Sequence, residues 1–425
     1  MAAAVTTRQR SVVETAQALA REGFAPPGEL RFGSEPAWAA LRAVGTRLWL
    51  DTGDLDAARK LWTDDFSNLT TNNTLVNKEV QKGLFDELIG KAGRAFRDAD
   101  GSLTLDDLVT EVGFVVNCHT ALRLVEAFDA TVSVELHPAM ADDPTLSVEY
   151  GRRYYAVCPE RFIIKVPLTP SGFLAARQLS SEGIPVNYTL GFSARQNVLA
   201  TAFSRPTYVN VFMGRLNSFV ADHGLGDGKN VGEKATMATQ MALIEGRERR
   251  GWQTLLIGAS LRAGSQLLDL AGLDVFTIPT AAAEEYKKAY DADPRPLASQ
   301  AGREFEVHAE PASVLDALWT VDEGVYQAAE ALEKTDTSGW SGADFARFVR
   351  EHGAADLFRE WTREEREQIQ KDGKIPNWER WKEELTSGRA KLDDLMTLSA
   401  LYSFVKDQAA LDEHVRKLLR EGGVA

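Results

Sequence analysis

The stretch FIIKVPLTPSGFLAARQLSSEGIPVNYTLGFSARQNVLATAF, residues 162–203, holds the unit on which the fold turns. It opens on the apolar run FIIKVPL (162–168) and passes into SGFLAARQLSSEG, where Phe173, Ala176 and Leu179 share one helical face. Gly183 reads as the cap after that helix, and Pro185 is tolerated at the first position of the next run, PVNYTLGF (185–192). Ser193 then stands as the N-cap of a second helix, SARQNVLATAF. Runs this apolar on both faces, each followed by a helix, are the pattern of a parallel sheet covered by helices.

The alternation extends in both directions. RLWLD (47–51), NLTTN (68–72) and TVSVEL (131–136) precede the unit, while TYVNVFM (207–213), TLLIGAS (254–260) and DVFTIP (274–279) follow it. Eight such runs are the number that closes a barrel, although an open doubly wound sheet would give a similar string. The polar residues decide for the barrel. Asp51, Asn72, Glu135, Lys165, Asn187 with Thr189, Asn210 and Ser260 all stand at or near the C-terminal ends of their runs. Only a closed barrel brings those ends to one mouth. The expectation is therefore an α/β chain with a (β/α)8 TIM barrel over residues 47–334. Residues 1–46 would be helices beneath it, broken by Pro26-Pro27-Gly28. Residues 335–425 would form a helical C-terminal extension, packed because it holds Trp340, Trp361, Trp378 and Trp381, four of the nine tryptophans.

Composition narrows the function classes. Of 425 residues, 44% are hydrophobic and 26% charged, and the net charge of −14 argues against a nucleic-acid partner. An anion would have to be met in a local pocket. Two cysteines, Cys118 and Cys158, give no disulfide framework and suit a reducing compartment. No apolar run comes near the ~20 residues of a membrane span. The first residues lack a secretory apolar core, and Glu14 speaks against a transit peptide. A cytoplasmic location without a membrane partner is expected.

Lys165 is the most informative residue. An ammonium among Ile163, Ile164, Val166 and Pro167 is costly unless neutralised, paired or used. It either bridges a buried carboxylate for structure alone or serves as the amine that condenses with a carbonyl. Glu135 and Asp51 end their runs as candidates for proton transfer, or else as caps of the following helices. Asn72, Asn187 and Thr189 offer neutral hydrogen bonds for a polyhydroxylated ligand. For an anion, the candidates are Arg215, Ser260 and Arg262, the last two in GASLR (258–262), where a strand leads towards a helix.

Two loops and the histidines can be set aside. GLGDGKN (224–230) has the wrong glycine-to-lysine spacing for a phosphate loop, and Asn230 stands where Ser or Thr is needed. DADGSLTLDD (98–107), aligned on Gly101 as a calcium loop, puts Phe96 at the first ligand position. His119, His137, His223, His308, His352 and His414 show no metal spacing. No metal and no cofactor is expected.

Seven motifs in order resemble the transaldolase family: DTGDL (51–55), TTNNTLVN (70–77), VSVE (132–135), IIKVP (163–167), GIPVNYTLGFS (183–193), VFMGR (211–215), and GASLR with LAGLDVFTIP (270–279). The likeness runs from about residue 45 to 333. It implies a Schiff-base transferase of the pentose phosphate pathway, moving a dihydroxyacetone unit from a ketose phosphate to an aldose phosphate. Lys165 would form the imine. Glu135, with a water held by Thr189, would move protons there, and Asp51 would take the substrate hydroxyl proton. Asn72, Asn187, Asn210 and Phe212 would contact the sugar, and Arg215, Ser260 and Arg262 its phosphate. Three positions depart from the pattern: Asn73 stands where proline is usual, His137 where an acidic residue is common, and Asn210 where serine is usual. Glu135 and Phe212 favour transfer over the simple cleavage of fructose-6-phosphate aldolases, which usually carry Gln and Tyr there. A pathway-specific chain-extending enzyme and a non-catalytic sugar-phosphate binder are the alternatives, and a homodimer is a possible assembly.

Overall fold

The computed structural model describes residues 7–424, with side chains from Arg10 onward. Eight strands, β1 Arg47–Asp51, β2 Phe66–Thr70, β3 Thr131–Glu135, β4 Phe162–Pro167, β5 Val186–Thr189, β6 Tyr208–Phe212, β7 Leu255–Ala259 and β8 Val275–Pro279, form a closed parallel barrel in sequence order. The (β/α)8 expectation holds. Every residue of β4 is buried, because Ile164 faces the helical layer near Leu179 while its neighbours Ile163 and Lys165 face inward. Inside the barrel, Trp49 of β1 and Tyr208 of β6 meet edge to face at 4.8 Å from opposite walls. These two rings fill the interior below the mouth, so the polar strand ends sit on a packed floor.

Several runs end earlier than their composition suggests. NLTTN lies two residues too far along; β2 starts at Phe66 and stops at Thr70, and Asn72 instead caps the helix Asn73–Val80, accepting the Leu75 N–H at 2.9 Å. A side-chain oxygen that satisfies a helix start draws the backbone out of the ladder. PVNYTLGF ends at Thr189 because Leu190 takes a left-handed φ of 67°, and TLLIGAS ends at Ala259 because Ser260 does likewise at 61°. Gly183 and Ser193 fall where expected, just past the helix Pro170–Ser181 and at the cap of Ala194–Ser204.

Of the two N-terminal helices among the described residues, Pro36–Ala43 lies beneath the barrel, with Trp38 against Phe66 at 4.9 Å and Tyr286 at 5.3 Å. The first helix, Thr7–Ala20, packs outside it, on the helices Asp86–Ala99, Leu105–Phe128 and Pro144–Val157. Its stripe Val12, Ala16 and Leu19 is buried there. The reason lies in Leu105–Phe128, which is apolar nearly all round and needs cover on its outer side as well. Contrary to the sequence reading, this helix is long and apolar enough to cross a membrane, but 83% of its most apolar window is buried inside the protein.

Beyond residue 335 four helices follow: Gly342–Glu351, Arg363–Asp372, Trp378–Thr386 and the 30-residue Leu392–Glu421. Phe345 fixes the first of them against Phe173 at 5.0 Å, and Trp361 packs edge-on to Trp381 at 5.6 Å. The last helix, about 45 Å long at its normal rise, crosses the mouth. Asp393 near its start binds Ser193 at 2.7 Å, and Thr397 donates to the Leu190 carbonyl at 3.0 Å. Farther along, Asp407 accepts from Thr74, and Asp412 meets His137 at 3.4 Å.

Candidate active site

The register of neighbouring strands assembles the centre. Glu135 of β3 pairs with Lys165 of β4, and Lys165 pairs with Asn187 of β5. Three consecutive barrel walls thus present an acid, an amine and an amide in one row. The Glu135 Oε2 to Lys165 Nζ distance is 3.8 Å, both side chains being 4% exposed, and Nζ also donates to the Thr71 carbonyl at 3.4 Å.

Lys165 opens onto a cavity of about 790 Å³ at the mouth. Asp51, Asn72, Asn187, Asn210, Phe212, Arg215, Ser260 and Arg262 line it with Lys165, so nine of the eleven residues singled out in the sequence meet there. Glu135 and Thr189 are buried and do not line it. Several polar atoms around this space are buried with no protein partner: Asp51 Oδ1, Asn187 Oδ1, Thr189 Oγ1 and Arg215 Nη1. A buried polar atom left unpaired is costly, so a concentration of them around one cavity marks a place built for a polar ligand.

Burial dominates the electrostatics. It pushes the Glu135 carboxyl above the usual range, opposed by the charge of Lys165 and by the Asn73 backbone N–H. Asp51 is raised for the same reason, with Lys165, Lys78 and Arg262 pulling the other way. Arg215 is brought down to about 10, first by burial and then by the like charge of Arg262. It stays charged at neutral pH. Its guanidinium lies 5.6 Å from the Phe212 ring and 5.4 Å from Phe404 of the last helix. A pair of like charges held together in a half-desolvated wall is stabilised by an anion. Gly214 lets the loop after β7 approach the start of the helix after β6 closely: a Cβ there would sit 2.1 Å from the Ser260 carbonyl and 2.8 Å from the Arg262 side chain.

Some sequence expectations change in detail. The loop after β7 offers no free helix start at Ser260, since its helix begins only at Ser265 and has five residues. The Arg262 and Ala263 N–H groups both go to the Gln266 side chain, at 2.6 and 3.1 Å. An anion there would meet the side chains of Ser260 and Arg262. Asn210 lines the cavity, yet its amide is engaged on both sides, donating to the Tyr188 carbonyl and accepting from the Gly191 N–H at 3.2 Å. Among the described residues no group of three or more His, Cys, Asp or Glu could hold a metal ion.

The family model described as Transaldolase/Fructose-6-phosphate aldolase matches residues 48–338. The chain belongs to this family. Among its relatives, a transaldolase of Xanthomonas campestris pv. campestris (strain B100) is 32% identical over 234 residues, covering 54% of this chain and 71% of the relative. The transaldolase of Schizosaccharomyces pombe (strain 972 / ATCC 24843) is 29% identical over 269 residues, 60% of this chain and 80% of the relative. One from Protochlamydia amoebophila (strain UWE25) is 29% identical over 238 residues, 55% and 72%. This transaldolase-family chain is an enzyme, of a family of transferases.

Sequence reasoning missed Phe404, Asp407 and Lys78, and it gave Asn73 no role. Lys78 and Phe404 line the cavity. Phe404 reads in sequence as one more apolar position of an amphipathic helix. Nothing local separates a ring that faces a core from one that faces a guanidinium.

Proposed function

We propose that this enzyme transfers a dihydroxyacetone unit from a ketose phosphate, fructose 6-phosphate or sedoheptulose 7-phosphate, to an aldose phosphate through an imine on Lys165. The observation that carries this reading is the pairing of Lys165 with Glu135 at 3.8 Å on one side of a cavity whose other wall holds Arg215 and Arg262. Amine and anion site together fit a phosphorylated carbonyl compound.

In this reading Glu135 takes a proton from the Lys165 ammonium, and Nζ adds to the ketose C2 carbonyl. Glu135 then protonates the carbinolamine hydroxyl, which leaves as water and gives the imine. Thr189, buried with an unpartnered hydroxyl, would hold the water that relays these protons. Asp51 takes the proton of the C4 hydroxyl, the C3–C4 bond breaks, and its electron pair flows to the imine nitrogen to give an enamine. The aldehyde half leaves, the enamine adds to the incoming aldose phosphate, and Asp51 returns its proton to the new alkoxide. Water then releases the product and restores the amine. A carboxylate whose proton affinity is raised by burial is the stronger base for that step. Asn72 and Asn187 would hold the sugar hydroxyls, Phe212 would pack against the sugar, and Arg215, Ser260 and Arg262 would hold the phosphate. The Asn187 Nδ2 is oriented by Ser133 at 3.0 Å, leaving its oxygen for a hydroxyl.

Borohydride reduction in the presence of fructose 6-phosphate tests this. The expected result is a stable mass increase on Lys165 that Lys165→Ala abolishes while circular dichroism stays unchanged. No adduct on the wild-type chain sinks the imine. With erythrose 4-phosphate added, product that forms only when the acceptor is present supports transfer; free dihydroxyacetone would assign the chain to simple aldol cleavage.

A further inference from the structure

We propose that Asn73 is a positioning residue whose main-chain N–H holds the Glu135 carboxylate oxygen that faces Lys165. The inference rests on the imine reading above and adds a part to it.

Asn73 is the first residue of the helix Asn73–Val80, directly after its cap, Asn72. The first N–H groups of a helix have no partner within it. Here they are used in two ways. The Leu75 N–H goes to the Asn72 side chain at 2.9 Å, and the Asn73 N–H leaves the helix to reach Glu135 Oε2 at 3.3 Å. The same Oε2 lies 3.8 Å from Lys165 Nζ. One carboxylate oxygen is therefore fixed between a neutral donor on the β2 side and the amine on β4, and it turns with neither. The donor sits at a helix start, where the dipole also favours negative charge.

This contact has a chemical consequence. Glu135 is 4% exposed, and burial raises its carboxyl above the usual range. A hydrogen bond donated to the ionised form favours that form and brings the carboxyl back towards the range in which it can both take and return a proton. Proline carries no N–H and could not make the bond. Proline is nonetheless well tolerated in the first turn of a helix. The position thus permits a substitution that deletes one hydrogen and leaves the backbone path in place. The Asn73 side chain, 1% exposed with neither amide atom partnered, is not what holds Glu135.

Two variants separate the backbone from the side chain. In Asn73→Pro, the acidic limb of the pH profile for borohydride-trapped adduct formation should move up by roughly one pH unit, since Glu135 then keeps its proton to higher pH. Asn73→Ala keeps the N–H and should keep the wild-type limb. A shift of equal size in both variants, or in neither, overturns the proposal. A further measurement needs no turnover, and its deciding arm needs only the wild-type protein. The Asn73 amide proton resonance should titrate with Glu135 and stop titrating in Glu135→Gln; a flat Asn73 resonance in wild type overturns the proposal. If the trapping experiment gives no adduct at all, the imine reading fails, and the resonance still decides whether Asn73 holds Glu135.

Discussion

Lys165 and Glu135 are adjacent because strand register makes them so, and each alters what the other does. The carboxyl is raised by burial and drawn back by the ammonium and by one N–H, which leaves it able to act in both directions. Glu135→Gln keeps the shape and removes the proton carrier. Adduct formation on Lys165, followed by quenched time courses and mass spectrometry, should slow by about 10²–10⁴-fold, the usual worth of a positioned acid/base group. A change of less than about threefold would mean that protons reach the lysine by another route. Asn72 shows how one residue can serve two purposes: its Oδ1 caps a helix while its side chain stands in the cavity wall. Capping and ligand contact are compatible there because an asparagine amide has two ends.

At the scale of elements, the long helix Leu392–Glu421 closes one side of the mouth. It is anchored by a buried charge cluster: the Arg195 guanidinium donates to both oxygens of Asp393 at 2.7 and 2.8 Å, and Ser193 donates to one of them. Farther along the same helix stands Phe404, whose ring covers Arg215. Asp393→Ala would leave Arg195 with Asp356 as its remaining acidic partner at 2.7 Å. Breaking a buried pair from one side typically costs about 3–5 kcal/mol, and the surviving partner points to the low end, about 3 kcal/mol. Urea denaturation measures that loss. Because the same helix holds the ring against Arg215, KM for a phosphorylated ketose should rise in this variant while kcat changes little. Unchanged stability together with unchanged KM would show that the helix is held elsewhere.

For the whole molecule, the sign of the pH dependence follows from its buried acids. Asp51 and Glu135 are raised by burial, and Asp394 is raised to about 7 from 3.8 by burial and by the neighbouring charge of Asp393. A carboxyl raised on folding binds its proton more tightly in the folded state. Between the unfolded and folded values the native state therefore holds more protons, and stability falls as pH rises. For Asp394 this window runs from about 3.8 to about 7. The net charge of −14 at pH 7 adds self-repulsion of the same sign. Urea midpoints should decrease from pH 4.5 to pH 8, and Asp394→Asn should flatten part of that slope. A variant with the wild-type slope would remove Asp394 from the account. Carboxyls held low, such as Asp54 with the Ala57 N–H and Lys82, act only below about pH 4, where their contribution is lost on acidification.

How much of this was legible differs from residue to residue, for physical reasons. Lys165 stood out because an ammonium in an aliphatic strand breaks the local pattern. The strand-end positions of Asp51 and Glu135 followed from a parallel barrel having one catalytic end, whereas Asn187 is the second residue of β5. Ser260 was found for a reason that did not hold: the helix start expected there lies at Ser265, and Gln266 takes the nearby N–H groups. Phe404 and Asp407 could not be read at all. They lie more than 100 residues from the strand ends they approach, on a helix whose amphipathic spacing reports only that one face is covered.

By itself, the amino-acid order determined the alternation of strand and helix, the closure into eight walls, and which side chains stand at their C-terminal ends. Those features are local, set by hydrophobic periodicity, caps and turns within a few residues of each other. Only the folded molecule decided that Glu135 and Lys165 share one register row, that the Asn73 N–H ends on the oxygen between them, and that a distant helix lays a ring over Arg215. These are contacts between segments that sequence leaves independent, and packing alone chooses which faces meet.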